Sequence, residues 1–198
     1  MKIVGFFIII ILLNINTYSI AQQKNSSKNK IIATKKFPNY WYGHWIGKIT
    51  WTTPKSDTPT LFTMQLIIKP TAIKNVITWQ IQYGDSLLDV RPYTCKLIDS
   101  INKHWLIDEN NGILIDLFII GNSAFSCFNV QGNTISNNYQ LQANGAMQVQ
   151  FITSNTKAIR TSGLNTNNSP TVETFKIASF QVGTLLKINQ TKNNTQKK

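Results

Sequence analysis

Trp105-Leu-Ile-Asp-Glu-Asn-Asn-Gly-Ile-Leu-Ile-Asp-Leu-Phe-Ile-Ile-Gly121 is the stretch whose reading decides the fold. Two apolar runs fold back on each other around Asn111-Gly112, a pair that can adopt positive φ at both central positions of a tight hairpin turn. Asp108 and Glu109 stand just before the turn and Asp116 lies inside the second run, so three of the eight acids fall within nine residues. Short polar side chains next to a turn bond their own backbone, and that accounts for Asp108-Glu109-Asn110 as turn chemistry. Asp116 is different, because it interrupts a strand that is otherwise apolar on both faces.

Working outward from this hairpin, the same period of two recurs. Trp45, Gly47, Ile49 and Trp51 alternate with His44, Ile46, Lys48 and Thr50. Phe62, Met64, Leu66 and Ile68 alternate with polar residues, as do Ile77, Trp79, Ile81 and Tyr83. Alternation of this kind marks strands with one buried face. Further runs cover Leu88–Ile98, Ala124–Val130, Thr134–Leu141, Ala146–Thr153 and Val172–Ile188. Turn pairs separate them at Gly84-Asp85, Gly121-Asn122, Gly132-Asn133 and Asn144-Gly145, and Ser86–Val90 reads as the start of a strand. The one long connection, Asn155–Pro170, reads as a polar loop. Connections this short force sequential antiparallel pairing. The expected fold is all-β: an antiparallel up-and-down barrel of about 8–10 strands, with a two-sheet sandwich as the structural alternative.

The ends of the chain read differently. Residues 1–21 form a signal peptide: Lys2, an apolar run over Ile3–Leu13, and Ser19-Ile20-Ala21 at the cleavage point. The run is shorter than the ~20 residues that span a bilayer. An exported chain follows, destined for the periplasm or the exterior, with no stable membrane anchor. Residues 22–40 are a flexible basic linker, 41–188 the barrel domain and 189–198 a disordered basic tail, since neither end carries enough apolar surface to order itself. The net charge of +12 is concentrated in these ends, leaving 11 basic against 8 acidic residues in the barrel. No basic stripe with interleaved aromatics remains, and nucleic acid is not an expected partner.

Tyr42-Gly43-His44-Trp45-Ile46-Gly47 opens the domain with a W-x-G strand, followed by Trp79–Asp85, Asp89-Val-Arg-Pro-Tyr93 and the Ile107–Asp116 hairpin. The set resembles exported bacterial proteins of lipocalin-like (calycin) barrel type, many of unassigned function. The early W-x-G strand is similar to that of lipocalins and of the related fatty-acid-binding and nitrobindin-like barrels. Pro38-Asn39 stands where a lipocalin carries a short helix. The resemblance implies a closed barrel with room for a small apolar ligand.

The candidate chemistry is sparse. Cys95 and Cys127 sit on different strands; export permits a disulfide, and their apolar neighbours equally suit free thiols packed as small hydrophobes. Two cysteines without a nearby histidine do not make a zinc site. His44 and His104 are expected to face solvent, no G-x-S-x-G elbow is present, and no cofactor or catalytic residue is assigned. A carboxylate on an apolar strand needs a partner if it is buried. Arg91, on a neighbouring strand with Asp89 and Tyr93 on its own face, is the natural one, and an Arg91–Asp116 pair inside the barrel is expected. The candidate ligand-binding set is Trp79, Tyr83, Arg91, Tyr93, Asp116 and Phe118. Trp45, Trp51, Trp105, Phe125, Phe128 and Tyr139 complete the expected aromatic interior. The favoured function is non-catalytic binding of a small apolar or amphipathic ligand. The alternatives are a filled barrel acting through its surface or basic ends, and a barrel isomerase or lyase using Asp116 and Arg91.

Overall fold

A computed structural model describes residues 36–84, 89–163 and 169–188. The expected signal peptide, most of the linker, Asp85–Leu88 and the tail lie outside the described residues. The chain is an all-β, closed antiparallel barrel of ten strands, consistent with a lipocalin- or calycin-like barrel. In order these are β1 (Gly43–Thr53), β2 (Ser56–Ile68), β3 (Val76–Tyr83), β4 (Val90–Asp99), β5 (His104–Asp108), β6 (Leu114–Ile120), β7 (Ser123–Val130), β8 (Asn133–Leu141), β9 (Met147–Ser162) and β10 (Val172–Lys187). Each strand pairs with the next, and β10 returns to pair with β1, so the sheet closes into a barrel.

The β1–β10 seam explains the W-x-G signature. Gly47 lies between Trp45 and Ile49, whose side chains are buried. A Cβ at Gly47 would collide with the Thr184 carbonyl oxygen, and one at Gly183 would meet the Lys48 carbonyl and the Ile49 side chain. The register pairs Ile49 with Gly183, so each strand presents a glycine where the other comes closest. The two backbones approach at that distance because neither glycine carries a side chain.

Inward positions supply the core: Trp45, Ile49, Met64, Leu66, Trp79, Leu117, Val149 and Leu185 are all essentially inaccessible. One end of the barrel is closed from below. A one-turn 3-10 helix, Asn39–Trp41, follows a cis Phe37-Pro38 bond and tucks Trp41 under the strands. Trp45 Nε1 donates to the Trp41 carbonyl at 2.9 Å. Phe37 stacks edge-on against Trp41 and Trp105, with centroids 5.2 and 4.9 Å apart. A short helical turn therefore does precede the W-x-G strand. Phe37, inside the stretch read as linker, packs against the core.

Two expectations change. The turn after Asp108 is wider than a two-residue Asn-Gly turn: Asn110 and Gly112 take positive φ, and Glu109 N donates to the Ile113 carbonyl at 3.0 Å. Asp108 Oδ1 accepts from Asn110 N at 2.9 Å and Asn111 Oδ1 from Ile113 N at 3.0 Å, so the local acids and amides do build the turn. Much of Asn155–Pro170 is strand rather than loop, because β9 runs to Ser162 and pairs with β10 beyond the end of β8. Those residues have no buried face, so hydrophobic alternation does not reveal them; backbone pairing alone holds them. β2 likewise starts at Ser56, in a stretch paired only to β1.

Replacing Gly47 with Ala should cost about 1–3 kcal/mol, the range of core overpacking. Urea unfolding would show a lower midpoint with an unchanged slope. A Gly47→Ala protein as stable as the parent would contradict a sterically tight seam.

Candidate functional site

Above the closed end, the interior opens into a cavity of about 560 Å³ at the mouth where β1, β3, β5, β7 and β9 end. Its walls include Trp79, Ile81, Ile107, Ile115, Tyr139 and Phe151, with Phe62, Tyr83, Tyr93 and Phe128 nearer the rim. The inward side of each strand is apolar because alternate residues face the axis, and the rim becomes polar where the strands run out. Tyr139 lies edge-on to Trp79 and to Phe151, at 5.2 and 5.4 Å. The fully buried Trp79 indole N–H sits near the Tyr139 hydroxyl without reaching hydrogen-bond geometry. Thr60, Ser126, Asn137, Thr153 and Gln181 add polar groups to the lining.

The charged groups lie at the rim. Arg91 forms a two-pronged pair with Asp89: Nε donates to Oδ1 at 2.9 Å and an NH2 nitrogen to Oδ2 at 3.2 Å. Its guanidinium also covers the Tyr83 ring, 4.7 Å from the centroid. The Asp89 hydrogen bonds hold Arg91 still more firmly protonated than usual. Burial pushes the Tyr83 hydroxyl up to about 12, the neighbouring Arg91 charge only partly offsetting it. Tyr93 is raised mainly by burial and then by the Glu109 charge, and burial, followed by the neighbouring Tyr83, keeps Tyr139 well above the ordinary phenol range.

Four of the six expected site residues, Trp79, Tyr83, Arg91 and Tyr93, thus meet in one cavity. Asp116 and Phe118 do not. β6 buries Ile115, Leu117 and Ile119 and turns Leu114, Asp116, Phe118 and Ile120 outward. The expected Arg91–Asp116 pair is therefore absent. Asp116 instead accepts from His104 Nε2 at 2.6 Å, and Phe118 stacks on the His104 ring at 4.7 Å, all on the outer face. Both faces of β6 are apolar, so alternation cannot say which is inside. The carboxylate itself carried the usable signal, since a lone charge selects the watered face. Phe125, paired opposite Phe118, faces out for the same reason of register. Trp51 lines the mouth but is 40% exposed.

Cys95 is buried inside the barrel and Cys127 faces outward, so both are free thiols. Burial raises the Cys95 thiol above its ordinary range. His44 faces outward and bonds Gln65 at 2.7 Å. Among the described residues no three His, Cys, Asp or Glu side chains gather into a metal-binding group.

Neither a protein-family model nor any curated protein matches the chain. Solved structures do match in fold. A protein of unknown function from the DUF3598 family of Nostoc punctiforme aligns with a TM-score of 0.55 at 11% identity, over 76% of this chain. This chain spans about half of that protein, 48% of its length. An S-type phycobiliprotein lyase from Guillardia theta aligns with a TM-score of 0.49 at 5% identity, covering 77% of this chain and 91% of the lyase. The first of these likenesses shows the fold alone.

The raised Tyr83 hydroxyl has a consequence at alkaline pH. Its folded-state value of about 12 exceeds the ordinary 10.0, so the unfolded chain releases this proton first. The associated stability is complete below about pH 10 and is lost as pH rises towards 12. Tyr83→Phe should make the fall in unfolding free energy over that interval shallower by the slope of roughly one proton. An unchanged slope in urea unfolding at successive pH values would place Tyr83 in water.

Proposed function

We propose that this chain is an exported, non-catalytic barrel protein that holds a small apolar or amphipathic molecule in its mouth cavity, in the periplasm or outside the cell. The N-terminal targeting pattern supports export. The observation that carries binding is the 560 Å³ cavity, which falls within the range of about 300–1,000 Å³ usual for small-molecule sites and has apolar walls with a few polar groups. A solidly filled barrel, the second reading, would leave no such volume. The isomerase or lyase reading loses its acid, because Asp116 stands on the other side of the wall from Arg91.

The rim also limits the head group. Arg91 is already neutralised by Asp89, and Glu109 adds a negative charge, so the site does not favour an anion. The donors and acceptors left over suit a neutral polar head such as a hydroxyl. The apolar body would lie against Trp79, Ile81, Ile107 and Phe151.

Dodecanol is a suitable probe, followed by NMR of isoleucine methyl groups. Ile81, Ile107 and Ile115 should shift with saturation, and Ser126→Trp, which fills the cavity, should abolish the shifts while the protein stays folded. Binding that survives Ser126→Trp, or that leaves these methyls unmoved, would contradict the proposal.

A further inference from the structure

A second cavity, of about 650 Å³, lies at the opposite, closed end of the barrel. It is a cleft between the Phe37–Trp41 turn and the β2–β3 and β4–β5 connections. Its apolar floor includes Phe37, Ile77, Leu97, Trp105 and Ile119. The charged residues that line it are Lys36, Lys74 and Lys103, and none of the lining residues is a carboxylate. The acid on the adjoining turn, Asp99, has its carboxylate committed to the backbone N–H groups of Ile101 and Asn102 and to the Asn102 side chain. That bonding holds it below the usual carboxylate range.

The cleft is also held in shape. Leu97 N donates to the Asn75 carbonyl at 2.9 Å and Ile119 N to the Lys103 carbonyl at 3.1 Å, which pins each bordering turn to a neighbouring strand. Asn75 and Lys103 both take left-handed backbone conformations, with φ of 63° and 54°. Three like charges around one apolar cleft repel one another, and a bound anion relieves that repulsion. The chain's own preceding segment does not suit the cleft: Gln22–Lys35 carries four lysines and no acid.

We propose that this cleft binds an anionic amphiphile, with its apolar body on Trp105, Ile77, Leu97 and Ile119 and its head between Lys74, Lys103 and Lys36. The site is independent of the mouth cavity and opposite to it in charge preference. The amphiphile can come free in solution or from an anionic bilayer surface, which attracts clusters of lysines.

Laurate, kept below its micellar concentration and titrated into the full chain, should shift the Ile77 and Ile119 methyls. Dodecyltrimethylammonium, with the same tail and the opposite charge, should not. Lys74→Glu with Lys103→Glu should weaken laurate by roughly tenfold or more and leave dodecanol at Ile81 and Ile107 unchanged. Sedimentation with phosphatidylglycerol against phosphatidylcholine vesicles separates the two sources. Vesicle binding that the double variant loses identifies the bilayer, and laurate binding without vesicle binding identifies a free amphiphile. The proposal is overturned if laurate moves only the mouth methyls, if the cationic analogue binds equally well, or if the double variant binds laurate as the parent does.

Discussion

Everything in this molecule depends on β10 closing against β1. A ten-strand meander without that seam would expose two hydrogen-bonding edges and an open apolar face. The seam forms because Gly47 and Gly183 bring the two backbones closer than any Cβ would allow, each opposite the other strand's narrowest approach. Trp45 and Ile49, either side of Gly47, then face a closed interior. Trp45 in turn ties the seam to the end of the barrel through the Trp41 carbonyl. The W-x-G pattern is thus a closure device: one glycine for backbone approach and one tryptophan that carries the closure down to the N-terminal plug.

Closure from one end only makes the two ends of the barrel chemically unlike. Phe37 and Trp41 fill the lower end with aromatic packing. No comparable plug among the described residues fills the upper end, where the walls stay apolar and the rim gathers Asp89, Arg91, Glu109 and two tyrosines. The charge at the two ends differs in sign. The mouth holds two carboxylates against one guanidinium, and the lower cleft holds three lysines without a carboxylate among its lining residues. One barrel therefore presents two cavities whose linings differ in charge, built from the same set of inward-facing strands and separated by the aromatic layer around Trp79 and Trp105.

The strands and the barrel were legible in the sequence because alternation and short turns leave few other folds. β3 alternates cleanly, so parity assigns the inner face of Trp79 and Tyr83; β4 is mixed on both faces, and the face of Arg91 and Tyr93 follows from their pairing opposite Ile81 and Trp79. β6 is where parity fails, since Leu114, Phe118 and Ile120 are as apolar as Ile115, Leu117 and Ile119. There the register with His104 and the hydration of Asp116 decide the outcome. β10 was read over its full length, but the outer half of β9 was hidden because polar residues paired only through backbone carry no hydrophobic period. The lower cleft was hidden for another reason. Its lysines come from three turns far apart in sequence, and only closure of the barrel brings them together.

The central claim, that the mouth cavity is a binding site rather than unfilled core, is tested most directly by native mass spectrometry of the protein purified from its own host. The spectrum should show the chain with a small molecule retained, released when Ser126→Trp fills the cavity. A bare chain mass, under conditions where added dodecanol stays bound to the same preparation, would contradict it.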